Sequence, residues 1–127
     1  VSVTTATSWI SILEASYICY LLKPDHNNYA KRLVKTPKLY FYDTGLVCYL
    51  TKWSNAETLE AGAMNGAILE NYVVSEIAKT YLNSGKEPFM YYYRDKDAKE
   101  IDIVLEHDGI LNPLSLKSKK LPIPAAN

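Results

Sequence analysis

No stretch of this chain approaches the roughly 18 consecutive apolar residues that a bilayer-spanning helix needs, and no signal peptide is visible. A cytoplasmic location without a membrane partner is expected. Cysteine is scarce: Cys19 and Cys48 sit in apolar, aromatic surroundings and lack CxxC spacing. They read as buried reduced thiols, not as a disulfide or a metal pair. The two histidines, His26 and His107, each lie beside an aspartate in turn-like sequence and read as solvated. There is no GxxxxGK[ST] loop, so nothing here cradles a triphosphate. Charge of one sign is not in excess either. With 14 Lys and Arg against 14 Asp and Glu, the formal net charge is zero, which argues against a chain built mainly to coat nucleic acid. The first residue is valine, not methionine, and a piece of a longer protein is expected.

What is present is an uneven charge distribution. Six basic residues, Lys23, Lys31, Arg32, Lys35, Lys38 and Lys52, face only Asp25 and Asp43 in the front part. Between Trp53 and Asp108 eleven acidic residues face five basic ones. A basic front and an acidic middle suggest two modules. Residues 4–15 read as a helix with Thr4 or Thr5 as cap and an apolar stripe of Trp9, Ile12 and Leu13. Tyr17–Leu22 reads as a strand. Pro24–Asn28 reads as a turn, and Ala30–Lys35 as the returning arm of a hairpin. Thr36–Asp43 predicts a short strand, with Asp43 capping a helix over Thr44–Leu50. Residues 51–65 read as a polar linker.

From Asn65, a potential cap, a helix is predicted to about Leu82, stopped by Asn83-Ser84-Gly85. Leu69, Val73, Ile77 and Tyr81 form one stripe, and Glu70 falls on the edge of the buried face. A carboxylate there is costly unless it meets a cation, a donor or a metal. Three strand-like runs follow, Phe89–Arg94, Glu100–Glu106 and Ile110–Lys117. Asp108-Gly109 is a strong two-residue hairpin signal. With those two as the turn, His107 faces Ile110, Asp102 faces Ser115 and Glu100 faces Lys117. Opposed Cβ atoms lie about 5 Å apart, so Glu100, Asp102, Ser115 and Lys117 should share one end of the hairpin. Carboxylates that hold a hard cation, and a lysine beside them, suit magnesium-assisted phosphodiester cleavage.

Several blocks carry a resemblance: Trp9–Tyr17, Lys31–Gly45 ending in Asp-Thr-Gly, Gly66–Glu70, and Tyr93-Arg94-Asp95 followed by Glu100-Ile101-Asp102. Together they resemble the C-terminal part of prokaryotic predicted AAA-type ATPases. The resemblance implies an ATPase domain upstream, where any ATP would bind, then a winged-helix linker, then a restriction-endonuclease-like domain of unknown function. It implies a nuclease-like site of Glu70, Asp102 and Lys117, with Glu70 and Asp102 the weak metal ligands. Where the family pattern resembles Glu-x-Lys, this sequence has Ser115-Leu116-Lys117, and serine is a poor magnesium ligand. The family continues with another helix and strand, whereas Leu121–Asn127 does not read as that helix.

The expected fold class is therefore α+β or α/β. A winged-helix-like part spans residues 1–50, a linker 51–65, and a truncated restriction-endonuclease-like core of one helix and a three-stranded mixed or antiparallel sheet 66–127. The expected function is a non-catalytic nucleic-acid-binding or targeting region. DNA would be contacted by Lys31, Arg32, Lys35 and Lys38, and the other partners are its own upstream ATPase domain and further copies of itself. No cofactor is expected in this chain, Mg2+ only if the nuclease-like site works. The alternatives are a magnesium-dependent nuclease and a protein-interaction module rich in exposed tyrosine.

Overall fold

A computed structural model describes residues 1–25, 36–95, 97 and 99–116. His26, the arm expected at 30–35, Lys31, Arg32, Lys35, Lys117 and the 121–127 stretch lie outside the described residues. Helix α1 spans Val3–Ala15. Its cap is Ser2, not Thr4 or Thr5: the Ser2 hydroxyl accepts from the Thr5 amide at 3.2 Å. Ser2 has the extended backbone that a cap requires, whereas both threonines are already helical. The expected stripe is not buried. Trp9 and Ile12 are 56% and 60% exposed.

Strand β1 (Cys19–Leu22) pairs antiparallel with β2 (Lys38–Phe41), Cys19 opposite Phe41 and Leu22 opposite Lys38. The strand starts two residues later than expected because Tyr17, at φ 57°, turns the chain in the left-handed region. Asp43 caps α2 (Thr44–Leu50) as read, its carboxylate accepting the Leu46 amide at 3.3 Å. The 51–65 stretch is not all irregular. It contains a short helix, α3 (Ala56–Ala61), capped by the Asn55 side chain on the Thr58 amide at 2.9 Å.

Helix α4 spans Asn65–Asn83. Asn65 is not its cap; it lies inside the first turn and its side-chain amide donates to the Glu60 carbonyl at 3.0 Å. Gly85, at φ 73°, ends the helix as glycine does best. The buried face is Ile68, Asn71, Val74, Ser75 and Ala78. The expected stripe runs one row away: Val73 and Ile77 are partly buried, and Leu69 is exposed.

Strands β3 (Met90–Arg94), β4 (Glu100–His107) and β5 (Ile110–Leu114) form an antiparallel sheet in that order. Asp108 and Gly109, at φ 50° and 76°, make the two-residue turn, and His107 faces Ile110 as read. At the other loop the buried Asp95 carboxylate accepts the amides of Asp97 and Lys99, each at 3.0 Å. The described ladders are antiparallel, so the architecture is α+β; a parallel bridge, Pro24 to Tyr92, joins the two sheets.

The core crosses the stretch read as a linker. Leu22 and Tyr40 from the front pack with Val74, Ala78, Met90, Tyr92 and Ile103 from the back. Each large apolar side chain buried there contributes about 1.5–3 kcal/mol. The Tyr92 hydroxyl also donates to the Thr36 carbonyl. Cys19 is buried, Cys48 half-buried, and both are free thiols. No helix among the described residues is long and apolar enough to cross a membrane.

Candidate functional site

Glu70 lies on the flank of α4, where its row brings it over β2. There the Tyr40 hydroxyl donates to Glu70 Oε1, and Lys38 Nζ stands 3.7 Å from the same oxygen. Alternation along β2 puts Lys38 and Tyr40 on one face, so cation and donor reach one carboxylate together. Lys38 also reaches across to β4, with Nζ 2.5 Å from Glu100 Oε1. Arg94 Nε lies 4.0 Å from the other Glu100 oxygen. The Lys38 ammonium further sits 4.8 Å from the centre of the Tyr92 ring, within the range of a cation–π contact. Lys38 is thus held by two carboxylates and one aromatic face.

Asp102 behaves differently. The ladder runs from His107–Ile110 to Ile103–Leu114, so the predicted register holds as far as the pairs extend. One step beyond, the Asp102 carboxylate accepts the backbone amide of Leu116 at 2.6 Å. Ser115 is exposed and lies past the end of β5. Asp102 closes the end of the hairpin through its side chain.

The electrostatics centre on Tyr40. Burial first, then its hydrogen bond to Glu70 and the charges of Glu70, Asp102 and Glu100, push the phenol well above its ordinary range. Tyr40 therefore stays neutral and donates. Glu100 moves the other way: its hydrogen bond to Lys38 lowers it despite partial burial, helped by the charges of Lys38 and Arg94.

Of the residues proposed from sequence, Glu70, Asp102 and Lys38 come together around Tyr40, Asp102 acting on it through its charge. Lys38 is not a free phosphate contact, because its charge is engaged by Glu70 and Glu100. Among the described residues no group of three or more His, Cys, Asp or Glu side chains is placed to hold a metal ion. The sequence reading missed Tyr40 as the donor to Glu70. It also missed Asn71, whose side chain accepts the Phe41 amide at 2.7 Å and donates to the Phe41 carbonyl at 3.0 Å and to Thr44 Oγ1 at 3.1 Å. A usable signal existed for Asn71: it falls at helical spacing between Ile68 and Val74.

Two family models match parts of the chain. Residues 1–57 match a domain of unknown function, DUF8612, and residues 65–126 match a second, DUF4143. Similar curated proteins include uncharacterized proteins of Mycobacterium bovis and Mycobacterium tuberculosis. Each is 28% identical over 125 residues, covering 98% of this chain and 27% of the relative. The chain thus spans about a quarter of the length of the curated relatives it matches. No solved structure matches it.

Proposed function

We propose that this chain is a non-catalytic nucleic-acid-binding or targeting region of a larger predicted AAA-type ATPase, a nuclease-like fold with a disabled site. One observation carries this: each carboxylate of the candidate site is engaged by a group of the chain itself. Glu70 receives Tyr40 and Lys38, Glu100 receives Lys38, and Asp102 receives the Leu116 amide. A hard cation needs several free carboxylate or carbonyl oxygens, and an ammonium already stands between two of the candidates. Ser115, in place of a carboxylate, supplies no replacement.

Binding would then rest on the basic run Lys31, Arg32 and Lys35, without Lys38. Such interactions are with phosphate and carry no sequence information. In a fluorescence-anisotropy titration on duplex DNA, affinity is expected near 10⁻⁴–10⁻⁶ M, the approximate range for non-specific binding. For every phosphate no longer neutralised, the log–log salt slope should fall by about 0.9. The Lys31→Ala, Arg32→Ala, Lys35→Ala triple variant should therefore bind more weakly and with a flatter slope, while Lys38→Ala should leave the slope unchanged. Binding indifferent to salt and to the triple substitution would remove the nucleic-acid reading.

A further inference from the structure

The richest unassigned feature lies away from the carboxylate site and is independent of the reading above. A cavity of about 510 Å³ opens between the end of α1, β1 and the segment entering β3. Five aromatic residues, Tyr17, Tyr20, Tyr42, Phe89 and Tyr91, are among those that line it. The Tyr42 ring centre stands 6.2 Å from that of Tyr17, tilted at 51°, and 6.1 Å from that of Tyr20, edge-to-face at 65°, so the rings form a corner and not a stack. Two carboxylates, Glu14 and Glu87, and one cation, Lys23, are among its lining residues. Neither glutamate has an ion-pair partner among the described residues. Glu14 acts on the rings: burial, then Tyr42, Tyr91 and Glu14 in turn, push Tyr20 up to about 12.

Tyr17 ends α1: its amide donates to the Glu14 carbonyl at 3.1 Å, and the next amide, that of Ile18, donates to the Leu13 carbonyl at 3.0 Å. Tyr17 is 68% exposed and sits at φ 57°, a conformation in which a bulky residue is strained and glycine is the usual occupant. Its ring faces, with two unneutralised carboxylates beside them, complement a cation: the π-faces are negative, and a guanidinium or ammonium over them is attracted electrostatically. An anionic polymer would instead meet Glu14 and Glu87.

We propose that this groove docks an arginine- or lysine-bearing segment of a partner protein, the cationic side chain lying against Tyr17 and Tyr42 with Glu14 and Glu87 as countercharge. The test is calorimetric titration of the chain with an acetylated arginine–glycine repeat peptide, its glutamate–glycine counterpart and a single-stranded oligonucleotide. The arginine peptide is expected to bind and the glutamate peptide not to. Tyr17→Gly, which removes the ring and relieves the backbone, should weaken binding about tenfold, within the range of a partly desolvated cation–π contact. Glu14→Gln combined with Glu87→Gln should weaken it comparably and flatten its salt dependence. Both are surface changes, so melting temperatures should stay close to the parent's. Equal binding of the two peptides, absence of binding, or binding unchanged in both variants would overturn the proposal. An oligonucleotide that binds the parent and fails to bind Tyr17→Gly would assign the rings to base stacking instead.

Discussion

Replacing Asn71 with alanine should lower stability by about 3 kcal/mol, the largest loss expected from any single polar side chain here. Asn71 is buried in the middle of α4 and ties that helix to the end of β2. Its amide serves both the N–H and the carbonyl of Phe41, as a neighbouring strand would, and a third bond reaches Thr44. Alanine leaves the two backbone groups without these partners, and an unsatisfied buried group costs about 1–3 kcal/mol. For a domain of this size, that is a fall in melting temperature of roughly 10 °C. Thr44→Val removes only the third bond and should cost about 1 kcal/mol or less. Thermal unfolding followed by circular dichroism separates the two. A melting temperature for Asn71→Ala within a degree of the parent's would show that this clamp does not hold α4 to β2.

Lys38→Met should cost less than Asn71→Ala, and it carries a pH signature. Methionine keeps the apolar stem but removes the cation that Glu70 and Glu100 share, leaving Glu100 only Arg94 at 4.0 Å. The side chains of Lys38, Glu70 and Glu100 are 22%, 28% and 35% exposed, so solvent screens the group. The cost belongs between the roughly 0–1 kcal/mol of a surface pair and the roughly 3–5 kcal/mol of a broken buried one. About 1–2 kcal/mol at pH 7 is expected. Glu100 is lowered from its ordinary 4.5 in the folded state. Its contribution is therefore present above that value and is lost as pH falls through the lowered one. Parent and variant should differ most at neutral pH and converge as the pH falls through the lowered value of Glu100. A gap that stayed constant down to pH 3 would mean that the stabilisation is not the ion pair.

These two residues also show where the sequence was legible and where it was not. Signals confined to a few neighbouring residues were readable: the Asp43 cap, the Gly85 stop and the Asp108-Gly109 turn each depend on backbone preferences of the residues themselves. The hairpin register followed from that turn, and it placed Asp102 at the end of the ladder. Lys38 reads as a phosphate contact because its neighbours in sequence are basic; its actual partner, Glu100, lies 62 positions away. Nothing local to β2 signals that pairing. The sequence misplaces the buried face of α4 by one row because the apolar residues form a broad band, so two stripes compete. The buried row is the one containing Asn71, whose side chain satisfies the Phe41 backbone of β2. Glu70 is recognisable as needing a partner, but its donor, Tyr40, belongs to a strand whose contact with α4 is tertiary.

The pairings that engage Glu70, Glu100 and Asp102 bear on one direct measurement, metal-dependent cleavage of DNA. Supercoiled plasmid incubated with the chain in Mg2+ or Mn2+ should show no nicking above the protein-free control, and Asp102→Asn should behave like the parent. Metal-dependent nicking by the parent that disappears in Asp102→Asn would overturn the proposed non-catalytic role and make the chain a magnesium-dependent nuclease.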